Sequence, residues 1–125
     1  MGREMKAVFD TNILVDYLNG IESAAKEISL FETRLISVIT FIEVLVGARD
    51  QEEERVIRDF LAGFQVRELN AKIASETVRV RKQYRLKVPD AIIYATAKEE
   101  GCQLVSRNSR DFKPEWPDVR IPYSV

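Results

Sequence analysis

The sequence contains no histidine. That absence removes Ser-His-Asp and Cys-His nucleophilic catalysis. It also removes cleavage of RNA through the 2′-hydroxyl by a pair of histidines acting as acid and base. Cysteine is scarce too: Cys102 is the single one, so no internal disulfide can form, and almost nothing is left from which to build a structural zinc site. Cys102 lies in the run Cys102-Gln103-Leu104-Val105 and reads as a buried, inert thiol. No apolar run approaches the roughly 20 residues of a membrane-spanning helix. The start, Met1-Gly2-Arg3-Glu4-Met5-Lys6, is charged and leads directly into a strand-like run, unlike a secretory leader, so a cytoplasmic location is expected. Repeats, low-complexity tracts and Pro/Gly/Ser linkers are missing, and a length of 125 residues suits one compact domain over residues 1–125. If the chain is an enzyme, carboxylates are left as the leading carriers of its chemistry, in company with a metal.

A large net charge is also lacking. The balance of −1 hides a segregated distribution. Arg79, Arg81, Lys82, Arg85 and Lys87 crowd one segment directly before Asp90, and Glu52, Glu53 and Glu54 crowd another. On a helix, Arg81 and Arg85 share a face, with Lys82 beside them. Such a run serves either as a solvated face or as a cationic rim that draws a phosphate backbone toward an acidic site.

What is present is a regular alternation of apolar strand-like and helix-like segments. Strands are expected at residues 7–10, 35–39, 65–69, 102–106 and 119–122, the last at a sheet edge because Pro122 cannot donate to a ladder. Helices are expected at 12–19, 22–32, 40–49, 52–62, 70–86 and 90–100, with one helical turn at 109–112. Gly20 and Gly101 stand where helices should stop, Asn70 where one should be capped, and Pro89 where one should open. Strands alternating with helices predict an α/β fold: a three-layer α/β/α sandwich around a mostly parallel sheet of four to five strands. Right-handed crossovers would bring the strand-to-helix junctions to one edge.

Four carboxylates sit where an apolar run gives way to a helix or turn. Asp10 ends Ala7-Val8-Phe9, Glu43 follows Ser37-Val38-Ile39-Thr40, Asp90 follows Val88-Pro89, and Asp111 follows Leu104-Val105-Ser106. Each has an ordinary use. Thr40-Phe41-Ile42-Glu43 fits a capping box, and the other three fit Asx caps, first-turn acids or turn closure. Gathering all four at one sheet edge is electrostatically costly and should raise at least one pKa. Capping needs no such convergence, whereas Mg²⁺ or Mn²⁺, which take oxygen ligands octahedrally, give it a purpose.

The blocks that hold these acids are Val8-Phe9-Asp10-Thr11-Asn12, the run from Ser37 through Glu43 to Gly47, Pro89-Asp90-Ala91-Ile92-Ile93-Tyr94-Ala95-Thr96-Ala97, and Leu104-Val105-Ser106-Arg107-Asn108-Ser109-Arg110-Asp111-Phe112. In this order they resemble the signature blocks of PIN-domain ribonucleases, and within them the VapC-type toxins of toxin–antitoxin pairs. Ser106 stands where that family often has threonine, and Tyr94 where a small residue is common; neither departure removes a ligand. The resemblance implies a PIN-like fold and makes Asp10, Glu43 and Asp90 the core metal ligands, with Asp111 the fourth and more variable acid. Thr11, Asn12, Thr40 and Asn108 become supporting polar groups. One or two Mg²⁺ or Mn²⁺ ions would serve in-line attack by water on an RNA phosphodiester, leaving 5′-phosphate and 3′-hydroxyl ends. Arg81, Lys82, Arg85, Arg107 and Arg110 become candidate RNA contacts.

The same resemblance implies a homodimer and a VapB-like antitoxin. Its amphipathic tail would lie in a groove beside the site, with a basic side chain among the acids. Tyr17, Leu18, Ile21, Phe41, Val46 and Phe60 are apolar residues that could serve such contacts or simply the core. Two other functions fit the family: housekeeping RNA processing, and RNA binding without catalysis. A haloacid-dehalogenase-type phosphatase needs D-x-D after the first strand, and here the second acid is replaced by Asn12.

Overall fold

The computed structural model describes residues 5–125; the charged start at residues 1–4 lies outside the described residues. Among the described residues, five strands and six helices follow in the order β1 (Lys6–Phe9), α1 (Thr11–Leu18), α2 (Glu22–Ser29), β2 (Thr33–Ser37), α3 (Val38–Val46), α4 (Gln51–Leu61), β3 (Gln65–Arg67), α5 (Ala71–Tyr84), α6 (Val88–Glu100), β4 (Gln103–Val105) and β5 (Val119–Arg120). The sheet order is β3-β2-β1-β4-β5, and every pairing is parallel. The expected sheet is therefore present with five strands.

Side chains alternate across the strands and build two cores. Val8, Leu35 and Leu104 face the layer formed by α5 and α6, where Ile73, Val80, Ile93, Tyr94 and Phe112 are buried. Their neighbours Phe9, Ile36 and Val105 face the opposite layer, with Ile13, Leu14, Ile28, Ile57, Leu61 and Phe64. Both faces of the sheet are thus covered, which is why its strands are short apolar runs without polar alternation. Tyr94 is fully buried and packs against the rings of Tyr84, Phe112 and Trp116.

Helix ends follow local chemistry. Asn70 Oδ1 accepts from the Ile73 amide at 2.9 Å and opens α5. Gly101 ends α6 in the left-handed region at φ 66°, and Arg85 ends α5 there too, at φ 59°. Three expectations are corrected. The helix expected at 40–49 begins two residues earlier, at Val38, because the Ser37 side chain caps it by accepting from the Ile39 amide at 3.0 Å. The capping box of Thr40 and Glu43 is therefore not formed, and Glu43 is the sixth residue of α3 rather than its opener. Residues 109–112 form the expected single turn, closed by the Phe112 amide donating to the Asn108 carbonyl at 3.1 Å. Cys102 is partly exposed rather than buried; desolvation still pushes its thiol up to about 11, so it stays inert at neutral pH.

Candidate active site

In this strand order the chain runs outward from β1 to β2 and β3 on one side and to β4 and β5 on the other. The crevice between β1 and β4, beyond their carboxyl ends, is the switch point where open α/β sheets bind ligands. Register fixes what stands there. Phe9 pairs with Val105, so the next residues, Asp10 and Ser106, are brought side by side. The Ser106 hydroxyl donates to Asp10 Oδ2 at 2.7 Å, and the Asn12 amide donates to the same oxygen at 3.3 Å. The other oxygen, Oδ1, accepts from the Thr11 amide at 2.8 Å, so Asp10 also caps α1. With its residue 5% exposed, burial raises the Asp10 carboxyl from its ordinary 3.8 to about 6; the bonds from Ser106 and Thr11 oppose the rise, and the charges of Asp90 and Glu43 add to it.

The other three acids arrive from different elements. Thr40 and Glu43 are three residues apart on α3 and so share a face, turned toward the start of α1. The Thr11 hydroxyl donates to Glu43 Oε1 at 2.6 Å and lies 3.1 Å from the Thr40 hydroxyl. Asp90 occupies the first turn of α6, with its carboxyl raised by partial burial and then by the charges of Asp111 and Glu43, against the opposing pull of Lys87. Asp111 exchanges two bonds with Asn108: the Asn108 side-chain amide donates to Asp111 Oδ2 at 3.0 Å, and the Asp111 backbone amide donates to Asn108 Oδ1 at 3.2 Å. All four acids thus stand within one electrostatic neighbourhood. They do not form a ready-made cage: among the described residues no three are drawn together closely enough to enclose an ion. Glu43 and Asp111 are instead turned to local donors. A wholly oxygen-based donor set with mutually repelling carboxylates fits a hard divalent cation that keeps most of its waters.

The cations divide into two sets. Arg81, Lys82 and Arg85 at the end of α5 are exposed, and among the described residues none has an ion-pair partner; Arg79 in the same run pairs with Glu76. Arg110 is exposed as well. Arg107 is committed elsewhere: its Nε and Nη2 donate to the two carboxylate oxygens of buried Asp16 at 2.7 and 2.9 Å.

The family model described as PIN domain matches residues 7–113. The chain belongs to the PIN-domain family. Among solved structures, the chain covers 96% of its own length and 100% of a chain in a toxin–antitoxin complex from Klebsiella pneumoniae, at 39% identity and a TM-score of 0.90. It is similar to a chain of VapBC2 from Rickettsia felis, solved with a promoter DNA fragment, at 24% identity and TM-score 0.78 over 92% of this chain and 96% of that one. It is also similar to a chain of DNA-bound VapBC from Salmonella typhimurium, at 26% identity and TM-score 0.75 over 93% and 96%. No curated protein matches it in sequence. The fold is that of the PIN domains in VapBC complexes, and the chain is a VapC-like PIN protein.

Sequence reasoning did not single out three residues of this PIN domain. Ser106 was read only as a family departure, although strand pairing places it against Asp10. Asp16 and Tyr123 belong to none of the four blocks; the Tyr123 hydroxyl donates to Asp16 Oδ2 at 2.9 Å. One signal was available for Asp16: it lies three residues after Ile13, on the buried stripe of α1.

Proposed function

We propose that this chain is a divalent-metal-dependent endoribonuclease and the toxin of a VapBC-type pair. The observation that carries the reading is Asp10, a buried carboxylate at the switch point of the sheet whose pKa is raised in part by Asp90 and Glu43. Asp10 and Asp90 would hold the principal Mg²⁺ or Mn²⁺ ion, with Glu43 bound directly or through water, and Asp111 would help hold a second ion or orient a water. Such ions supply an acidified water and neutralise charge on the phosphate oxygens. The chain's own residues do the rest. Ser106 and the Thr11 amide fix the two oxygens of Asp10, the Thr11 hydroxyl orients Glu43, and Asn108 orients Asp111. Arg81, Lys82 and Arg85, with Arg110 next to Asp111 in the chain, would offset repulsion between an RNA backbone and the acids.

The partner reading rests on a groove of about 440 Å³ between α1, α3 and α4, lined by Val15, Leu18, Val44, Val56 and Ile57, with Arg49 and Glu53 in its wall. Val46 nearby is 77% exposed and Ile42 50%. An amphipathic antitoxin helix fits such a groove through apolar anchors. Of the other apolar residues in this half, Tyr17 stacks on Phe60 at 4.4 Å, and Ile21 and Phe41 pack against the core, as Leu18 also does from the groove wall. A VapB-like antitoxin, a homodimer and a cytoplasmic location belong to the same proposal. Among the described residues no helix is long and apolar enough to cross a membrane.

The test is end-mapping of cellular RNA after brief expression of the wild-type chain beside Asp10→Asn. New 5′-phosphate ends with the wild type alone, together with growth arrest relieved by a co-expressed antitoxin, are expected. Equal ends with both proteins would reject the enzyme, and cleavage without arrest would favour RNA processing over toxicity.

A further inference from the structure

The loop after β4 carries Asn108 and Asp111, and its anchor is a half-buried ion pair outside the acid site. We propose that Asp16 is a positioning residue for the candidate metal centre, fixing the 106–111 loop through Arg107 and, with the loop, Asp111. This rests on the metal-site reading above.

Asp16 is 5% exposed on α1. A buried carboxylate is costly unless fully paired, and this one is: both oxygens are taken by the Arg107 guanidinium, and Oδ2 also accepts from Tyr123. Burial alone would raise its carboxyl, but these bonds from Arg107 and Tyr123 hold it below the usual range. A bidentate guanidinium–carboxylate pair fixes orientation as well as distance.

The orientation matters because of what else Arg107 and its neighbours do. The Arg107 backbone amide donates to Asn12 Oδ1 at 3.2 Å. That bond turns the Asn12 amide nitrogen toward Asp10 Oδ2. The next backbone amide, of Asn108, donates to Ser106 Oγ at 3.0 Å, the same hydroxyl that holds Asp10. Asn108 then holds Asp111. One side of Arg107 therefore grips α1 while the residues on either side set two of the four acids. Merely tying the chain down needs no such arrangement: β5 is tied to α2 by the Glu27–Arg120 ion pair, whose side chains, among the described residues, bond to no site residue; Arg120 meets Ser106 through its backbone carbonyl alone, at 3.0 Å.

That second pair supplies the control. Mn²⁺ affinity, measured by calorimetry on the full chain, is compared for wild type, Asp10→Asn, Asp16→Asn, Arg107→Met, Glu27→Gln, Asp111→Asn and the Asp16→Asn/Asp111→Asn double variant, with thermal melts alongside. Asp16→Asn and Arg107→Met should each weaken Mn²⁺ binding about tenfold, the usual size for groups that orient metal ligands. Glu27→Gln should lower the melting temperature and leave Mn²⁺ affinity unchanged. In the Asp111→Asn background, Asp16→Asn should add clearly less than its tenfold loss, since residues acting through one another are not additive; the remainder is the share that reaches Asp10 through Asn12 and Ser106. Faster amide exchange across residues 107–111 should accompany the loss. Arg107→Met reads the same link from the loop side, so a poorly folded Asp16→Asn does not end the test. Mn²⁺ affinity kept in Asp16→Asn and Arg107→Met, or losses that multiply in the double variant, would overturn the role of Asp16. If Asp10→Asn itself leaves Mn²⁺ binding intact, the metal-site reading falls, and the inference with it.

Discussion

Replacing Asp10 by asparagine should abolish RNA cleavage and make the protein more stable. The reasoning starts from linkage. A carboxyl whose folded pKa is raised from 3.8 to about 6 binds its proton more tightly folded than unfolded. Its folded state is therefore favoured below about pH 4, and that advantage is lost as pH rises through 6. At roughly 1.4 kcal/mol for each pH unit, holding Asp10 ionised above pH 7 costs about 3 kcal/mol. The residue is 5% exposed, so solvent screening takes little from this figure. Asparagine caps helices as well as aspartate and can keep the bond from the Thr11 amide. Its amide nitrogen cannot accept from Asn12, and losing that bond costs about 1 kcal/mol. The Ser106 hydroxyl can rotate to accept from the new amide. A net gain of about 2 kcal/mol near pH 7.5 remains, equivalent for a chain of this length to roughly 8 °C in melting temperature. The assay is thermal unfolding of both proteins in EDTA from pH 4 to 8. The gap should shrink toward pH 4, where wild-type Asp10 is protonated. Added Mn²⁺ should then raise the wild-type melting temperature and leave that of Asp10→Asn in place. An Asp10→Asn protein less stable than wild type at pH 7.5, or a gap independent of pH, would refute the assignment of Asp10 as a strained, uncompensated charge.

Three further outcomes are expected. Thr11→Val removes the hydroxyl that orients Glu43 and should weaken Mn²⁺ binding about tenfold with melting nearly unchanged; unchanged affinity in a Mn²⁺ titration would show that Glu43 needs no orienting. Arg85→Gly relieves the left-handed backbone at φ 59°, so the melting temperature should rise by an amount corresponding to about 1 kcal/mol. The slope of log RNA affinity against log salt should also flatten by about 0.7, the value for one phosphate contact on a single strand; a gain in stability with the slope unmoved would remove Arg85 from the RNA path. Val56→Asp places a charge in the groove between α1, α3 and α4, at a residue 54% exposed. RNA cleavage should persist while inhibition by a co-purified antitoxin is lost, and full inhibition would place the antitoxin elsewhere.

Much of this was legible because it depends on local pattern. Parallel strands buried on both faces read as apolar runs, and helix stops such as Gly101 and caps such as Asn70 are chemical marks in the chain. What failed depended on competition or on distance in sequence. Thr40 and Ser37 are both plausible caps for α3; Ser37 wins because it ends β2 and its buried side chain reaches the Ile39 amide. Thr40 is then carried inside the helix, where its hydroxyl meets Thr11. Arg107 looked like a phosphate contact because it flanks Asn108, yet its partner lies 91 residues away on α1. No window of sequence shows that pair. A charged residue on the buried stripe of a short helix only announces that some partner must exist.

The convergence of Asp90 with Asp10 is the instructive case, because in sequence it follows a helix rather than a strand. The direction of α6 settles it. Gly101 ends α6 and β4 starts at Gln103, so the helix finishes at the edge of the sheet where parallel strands begin. Thirteen residues of helix span about 20 Å, enough to carry its first turn back to the opposite edge. There Pro89 stands in the first turn of α6, and Asp90 lies close enough to Asp10, at the end of β1, for its charge to raise that carboxyl. The same logic places Asp10 and Ser106: each is the first residue after a parallel strand, on neighbouring strands in register. A helix that precedes a parallel strand thus delivers its N-terminal turn to the edge where strands deliver their last residues. An acid in the first turn of such a helix belongs among the candidates for a site at the switch point, even though no strand leads into it.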